Sequence, residues 1–118
     1  MKVIGLWEFG GPEVLKIIEL PDPHPGPGEV RVRVHAVAVN PSDLAVRASG
    51  YGGRMDALPK PHIPGWDAAG VIDAIGPGAG RFALGDKVLA VTNAISPHKG
   101  AYQQQLIAPE ASVVRAPA

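Results

Sequence analysis

Fifteen glycines and thirteen prolines among 118 residues, about a quarter of the chain, limit what this sequence can fold into. Average usage of the two together is about 12%. Proline lacks the backbone N–H donor, and glycine loses the most conformational freedom on ordering, so neither suits a long helix. Here they lie between short Val- and Ile-rich stretches rather than in one linker. That pattern reads as many short strands separated by turns.

The alternation is clearest over residues 29–39, where Val30, Val32 and Val34 interleave with Arg31, Arg33 and His35. A period of two marks a strand with one wet face. Residues 36–39 are all apolar, so the strand is expected to run from the surface into the core. Further strands are expected at residues 2–6, 14–20, 68–75, 87–92, 101–108 and 112–115. Four prolines between Pro21 and Pro27 make a stiff extended connection. One short helix follows Asn40, which can cap it, with Pro41 in the first turn, Asp43 as a first-turn charge and Gly50 as its stop. Leu44, Ala45, Val46 and Ala48 are expected to pack it inward. The reading is mainly β: one domain over residues 1–118, a small, partly open barrel with one or two short helices.

Several function classes drop out. Eleven basic residues balance eleven acidic ones, so neither a nucleic-acid partner nor an anionic membrane surface is expected. The absence of cysteine excludes disulfide frameworks, thiolate metal sites and Cys nucleophiles. His24, His35, His62 and His98 are scattered, with no ligand spacing, so no metal is expected. No run approaches the ~18 apolar residues of a membrane span, and the N-terminus lacks a secretory pattern. A cytoplasmic location is the expectation. Gly76-Pro77-Gly78-Ala79-Gly80 leads into another strand with no room for a crossover helix, so it reads as a plain turn and not a phosphate loop.

What remains is Asn40-Pro41-Ser42-Asp43 at a strand end, with Tyr51 just past the helix. A strand end and a helix end beside a glycine-rich loop can form a pocket rim. They can equally be a cap, a first-turn charge and an amphipathic lid on the core.

Five stretches in order extend the reading: Gly10-Gly11-Pro12-Glu13-Val14-Leu15, Pro25-Gly26-Pro27-Gly28-Glu29-Val30, Asn40-Pro41-Ser42-Asp43, Pro64-Gly65-Trp66-Asp67-Ala68-Ala69-Gly70 and Gly85-Asp86-Lys87-Val88. Together they resemble the GroES-like N-terminal catalytic domain of the medium-chain dehydrogenases/reductases, in the zinc-free quinone oxidoreductase branch. Zinc-dependent relatives carry a cysteine where Asn40 stands and a histidine where Trp66 stands. The resemblance therefore implies an oxidoreductase using NADPH without zinc, on a small quinone or enone.

It also implies roles for particular residues. Asn40, Tyr51 and Trp66 would face substrate, and Asn40 and Ser42 would face the cofactor. Asn40-Pro41-Ser42-Asp43 with Tyr51-Gly52 also resembles the enoyl thioester reductases of the same superfamily, which implies Tyr51 as the catalytic proton donor. A phenol at a pocket edge can act as a general acid. Two departures stand out. Gln103-Gln104-Gln105 occupies a place where the family shows an acidic residue. The chain also stops at Ala118, where family members continue into a Rossmann domain. The expectation is a half-site, inactive alone, needing that domain in cis or trans, and able to self-associate through the uncovered face. The alternative is a non-catalytic barrel, either co-chaperonin-like or a partner subunit.

Overall fold

The computed structural model describes residues 1–117, and its elements follow the punctuation closely. Seven strands form: β1 (Lys2–Gly5), β2 (Lys16–Glu19), β3 (Glu29–Val37), β4 (Asp67–Ile75), β5 (Lys87–Val91), β6 (Gln105–Pro109) and β7 (Val113–Arg115). One helix, α1 (Pro41–Ser49), and two short 3-10 turns complete the list.

Five strands make one antiparallel sheet in the order β6-β3-β4-β5-β7, while β1 and β2 pair separately. Single bridges, Val3 to Gln103 and Leu6 to His62, tie the hairpin to the rest. The register of β3 on β4 shifts twice, between Arg31 and Val32 and between Val34 and Ala36. Such bulges bend a strand and increase its twist, so the sheet curls into a partly open barrel. Gly70 sits opposite Val34, where a Cβ would stand 2.1 Å from the Arg33 carbonyl oxygen. Only glycine lets the two backbones approach that closely.

The main core fills the curl with Val30, Val32, Ile72, Val88, Leu106 and Val113. A second cluster of Leu6, Val14, Val46, Met55 and Ala94 lies beneath α1. The glycine-rich stretch 76–80 is a turn, closed by Ala79 N–H on the Gly76 carbonyl at 3.2 Å.

Two expectations are corrected. Residues 36–39 do not enter the core; all four are exposed, Val39 at 75%. The reason is pairing. β6 covers β3 only from Glu29 to Arg33, so the far end has β4 on one side and nothing on the other. In α1, Leu44 and Ala48 point outward, while Asp43, Val46 and Gly50 face in. Positions three and four apart share a helix face, which puts 44 and 48 opposite 43 and 46.

Candidate active site

Strand β3 delivers Asn40 to the start of α1, where it holds the extended backbone of an N-cap. Its Nδ2 donates to the Asp67 carboxylate at 3.2 Å, joining the start of α1 to the start of β4. Ser42 follows in the first helical turn and is half-buried. Trp66 precedes Asp67, is 37% exposed, and lines a separate cleft of about 270 Å³ together with Glu29, Thr92, Asn93 and His98.

What fixes this group is Asp43, a carboxylate only 5% exposed. One oxygen accepts the Asn40 N–H at 2.8 Å and the Tyr102 hydroxyl at 3.2 Å, while the other accepts the Gly65 N–H at 2.9 Å. Three donors to one buried carboxylate satisfy it without a counter-ion. Burial, followed by the charge of Asp43 and the bond to it, raises the Tyr102 phenol from 10.0 to about 12. Gly65 has φ +114, and a Cβ there would lie 2.5 Å from the Ala101 nitrogen. The turn that presents Trp66 is therefore a glycine turn by necessity.

Asp43 and Tyr102 escaped the sequence reading as site residues. The Asn-x-x-Asp spacing carries a signal for Asp43, because a carboxylate at the third helical position folds back onto the cap N–H. Nothing local marks Tyr102, which meets Asp43 only through the packing of β6's approach against α1.

Tyr51 sits past the other end of α1. Gly50 ends the helix in a left-handed conformation, and Tyr51 continues it with φ 55. Its ring packs on the cluster beneath α1, and its hydroxyl is buried with no hydrogen-bond partner among the described residues. Asn40 and Ser42 stand at the N-terminal end of the helix, and Tyr51 stands at the opposite end.

Two apolar grooves flank the exposed end of β3. One, about 580 Å³, runs between Ala36–Ala38 and Leu89–Val91; the other, about 560 Å³, runs between Val34–Val37 and Ala101–Gln104. Neither contains a cluster of charge. Gln103 donates through Nε2 to the carbonyls of His98 and Gly100, each at 2.8 Å. A carboxylate could not donate there, which accounts for an amide at that place.

His98 pairs with Glu29 at 2.7 Å, joining residues far apart in sequence. Burial pushes Glu29 up, but the Gly26 N–H and His98 outweigh it and hold the carboxyl below its usual value. Among the described residues no group of three or more His, Asp or Glu side chains converges to hold a metal ion. No helix among them is long and apolar enough to cross a membrane.

Comparison with known proteins adds the context. The profile of the alcohol dehydrogenase GroES-like domain matches residues 26–118. Human quinone oxidoreductase is 38% identical over 122 aligned positions, covering 99% of this chain and 34% of that protein. The quinone oxidoreductase of Pseudomonas syringae pv. Tomato is 34% identical with a TM-score of 0.83, over 98% of this chain and 33% of that one. A mycobacterial structure complexed with NADPH is 32% identical with a TM-score of 0.81, over 99% and 32% respectively. The chain spans about a third of the length of the curated relatives it matches.

Proposed function

The chain belongs to the alcohol dehydrogenase GroES-like domain family, and on that premise we propose that it is the substrate-side catalytic domain of a zinc-independent, NADPH-dependent quinone or enone reductase. The observation that carries this reading is the Asn40 side-chain amide, bonded to Asp67, which follows the half-exposed Trp66, while Asp43 holds the Asn40 backbone N–H. An amide and an indole bind a carbonyl oxygen and a flat ring; they do not make a zinc site. The relatives named quinone oxidoreductase support the same class.

The donor set fits one end of the cofactor. A carboxamide, a hydroxyl and exposed apolar strand suit the uncharged nicotinamide ring, so Asn40 and Ser42 would border it. No glycine-rich helix N-terminus is present among the described residues to cradle a pyrophosphate. That part of the cofactor would rest on a nucleotide-binding domain, in cis or in trans. When bound, NADPH supplies the reducing equivalent.

The chain's own residues have separate tasks. Asn40 orients the substrate oxygen and donates to it as negative charge develops. Trp66 lies along the plane of the quinone or enone and keeps water from it. Tyr51 delivers the proton that completes reduction. Its hydroxyl is buried on the cluster beneath α1 at the far end of the helix from Asn40, so this role requires the ring to turn outward when the nucleotide-binding domain docks. The exposed end of β3, with Val37 and Val39, forms the face toward the nucleotide-binding domain, and it self-associates when left uncovered.

A chimaera tests the proposal, with this chain replacing the matching third of human quinone oxidoreductase. We expect NADPH-dependent reduction of a small quinone, lowered about 10²-fold or more by Tyr51→Phe, the scale of general-acid catalysis. The isolated chain should neither bind NADPH nor turn over. A folded chimaera that binds NADPH yet reduces neither quinones nor enones refutes the reading.

A further inference from the structure

Away from Asn40, a small cavity of about 160 Å³ lies between residues 58–62 and residues 94–99. Its walls are mostly apolar, from Leu58, Pro59, Ala94, Ile95 and Pro97. Two polar groups interrupt them without being used up by the fold.

His62 is 1% exposed, and its ring stacks on Phe9 with centroids 4.9 Å apart. Its Nε2 is buried and has no hydrogen-bond partner among the described residues. Leaving such a group unsatisfied is costly, so it is an unusual feature of a native interior. Lys99 is the second group. Its ammonium donates to the Pro59 carbonyl at 2.8 Å and to that of Pro61, which leaves one of three N–H donors. The backbone of Lys99 has φ 69, a conformation that long side chains avoid, and it brings the ammonium to the cavity wall. Ser96 also borders the space, but its hydroxyl is occupied by Thr92 Oγ1 and by the carbonyls of Asn93 and Lys99.

The surrounding charge is more positive than negative. Lys99 and Lys60 face His62 as cations, and Asp56 is the opposing carboxylate. Burial, then Lys99 and Lys60, lowers the His62 imidazole, and burial lowers the Lys99 ammonium. An anion between the two would relieve both effects. The apolar walls require that it carry a hydrocarbon portion, which an inorganic oxyanion lacks.

We propose that this cavity binds a short-chain monocarboxylate, its carboxylate between Lys99 Nζ and His62 Nε2 and its alkyl tail against Leu58, Ala94 and Ile95. Because the ligand touches both loops, its binding ties them together and stabilises the fold by mass action.

The test is a titration of the 118-residue chain with sodium butyrate, against sodium chloride and sodium phosphate at matched ionic strength. The His62 ring signals are followed by NMR and the thermal midpoint is followed in parallel. Butyrate should shift the His62 signals saturably, raise the midpoint, and move His62 protonation to higher pH. Lys99→Gly keeps the backbone conformation and removes the cation; it should weaken binding by about tenfold or more, as expected for a charge-assisted hydrogen bond. Lys99→Arg, which restores the cation, should recover most of it. Butyrate behaving like chloride overturns the proposal, since a bound water would then suffice for His62. Phosphate saturating as well as butyrate, or Lys99→Gly binding like the parent, overturns it equally.

Discussion

Val30 and Val32 are fully buried, whereas Val37 and Val39 on the same run of chain are 38% and 75% exposed. The residue type is constant and the backbone stays extended, so neither hydrophobicity nor conformation separates the two ends. What differs is company. The first half of β3 has β6 and β4 as neighbours and a filled concave face, while the second half keeps β4 alone. An apolar strand is thus a demand for cover, and the cover need not come from the same sheet.

Four measurements probe that contrast. The largest effect is expected from Val32→Asp, which buries an unpaired carboxylate in the core and should cost more than about 4 kcal/mol, leaving no cooperative unfolding transition. Next comes the glycine turn that leads into β4, the one strand that still pairs with the exposed end of β3. Gly65→Ala should cost about 3 kcal/mol in urea denaturation, because φ +114 and the Ala101 nitrogen leave no room for a Cβ.

Tyr102→Phe removes one bond to Asp43 and should cost about 1 kcal/mol at pH 7. The same change separates an alkaline effect. A phenol raised in the folded state contributes stability fully below pH 10.0 and loses it as the pH rises toward about 12. The parent should therefore weaken over that window more than the variant does. The smallest stability effect belongs to Val39→Asp, within about 0.5 kcal/mol. Sedimentation should nonetheless show less self-association than the parent. A large loss of stability in Val39→Asp would erase the contrast between the two ends.

Much of the fold was legible because it depended on local rules. The Val-Arg alternation marked β3, and Pro41 with Gly50 bracketed α1, whose stop is a left-handed glycine. The turn at residues 76–80 followed from the lack of room for a helix. The exposure of residues 36–39 was not legible, since periodicity reports which residues want cover and not whether β6 reaches them. Within the candidate site, Asn40 and Ser42 stand close because they open one helix, and Asn40 reaches β4 through its bond to Asp67. The roles of Asp43 and Tyr102 were hidden because their bonds span 22 and 59 residues. His62 looked like any scattered histidine until Phe9 and Leu6 were packed around it.

The place of β3 between β6 and β4 has a consequence for synthesis. Its partner along Glu29–Arg33 is Gln105–Pro109, so the strand leaves the ribosome long before its neighbour exists. At about 5–20 residues per second the wait is on the order of 4–15 s. Throughout that interval a Val-rich edge stands open to any other nascent chain. The alternating arginines of β3 then act as gatekeepers during translation, well before Arg31 pairs with Asp73 and Arg33 faces solvent.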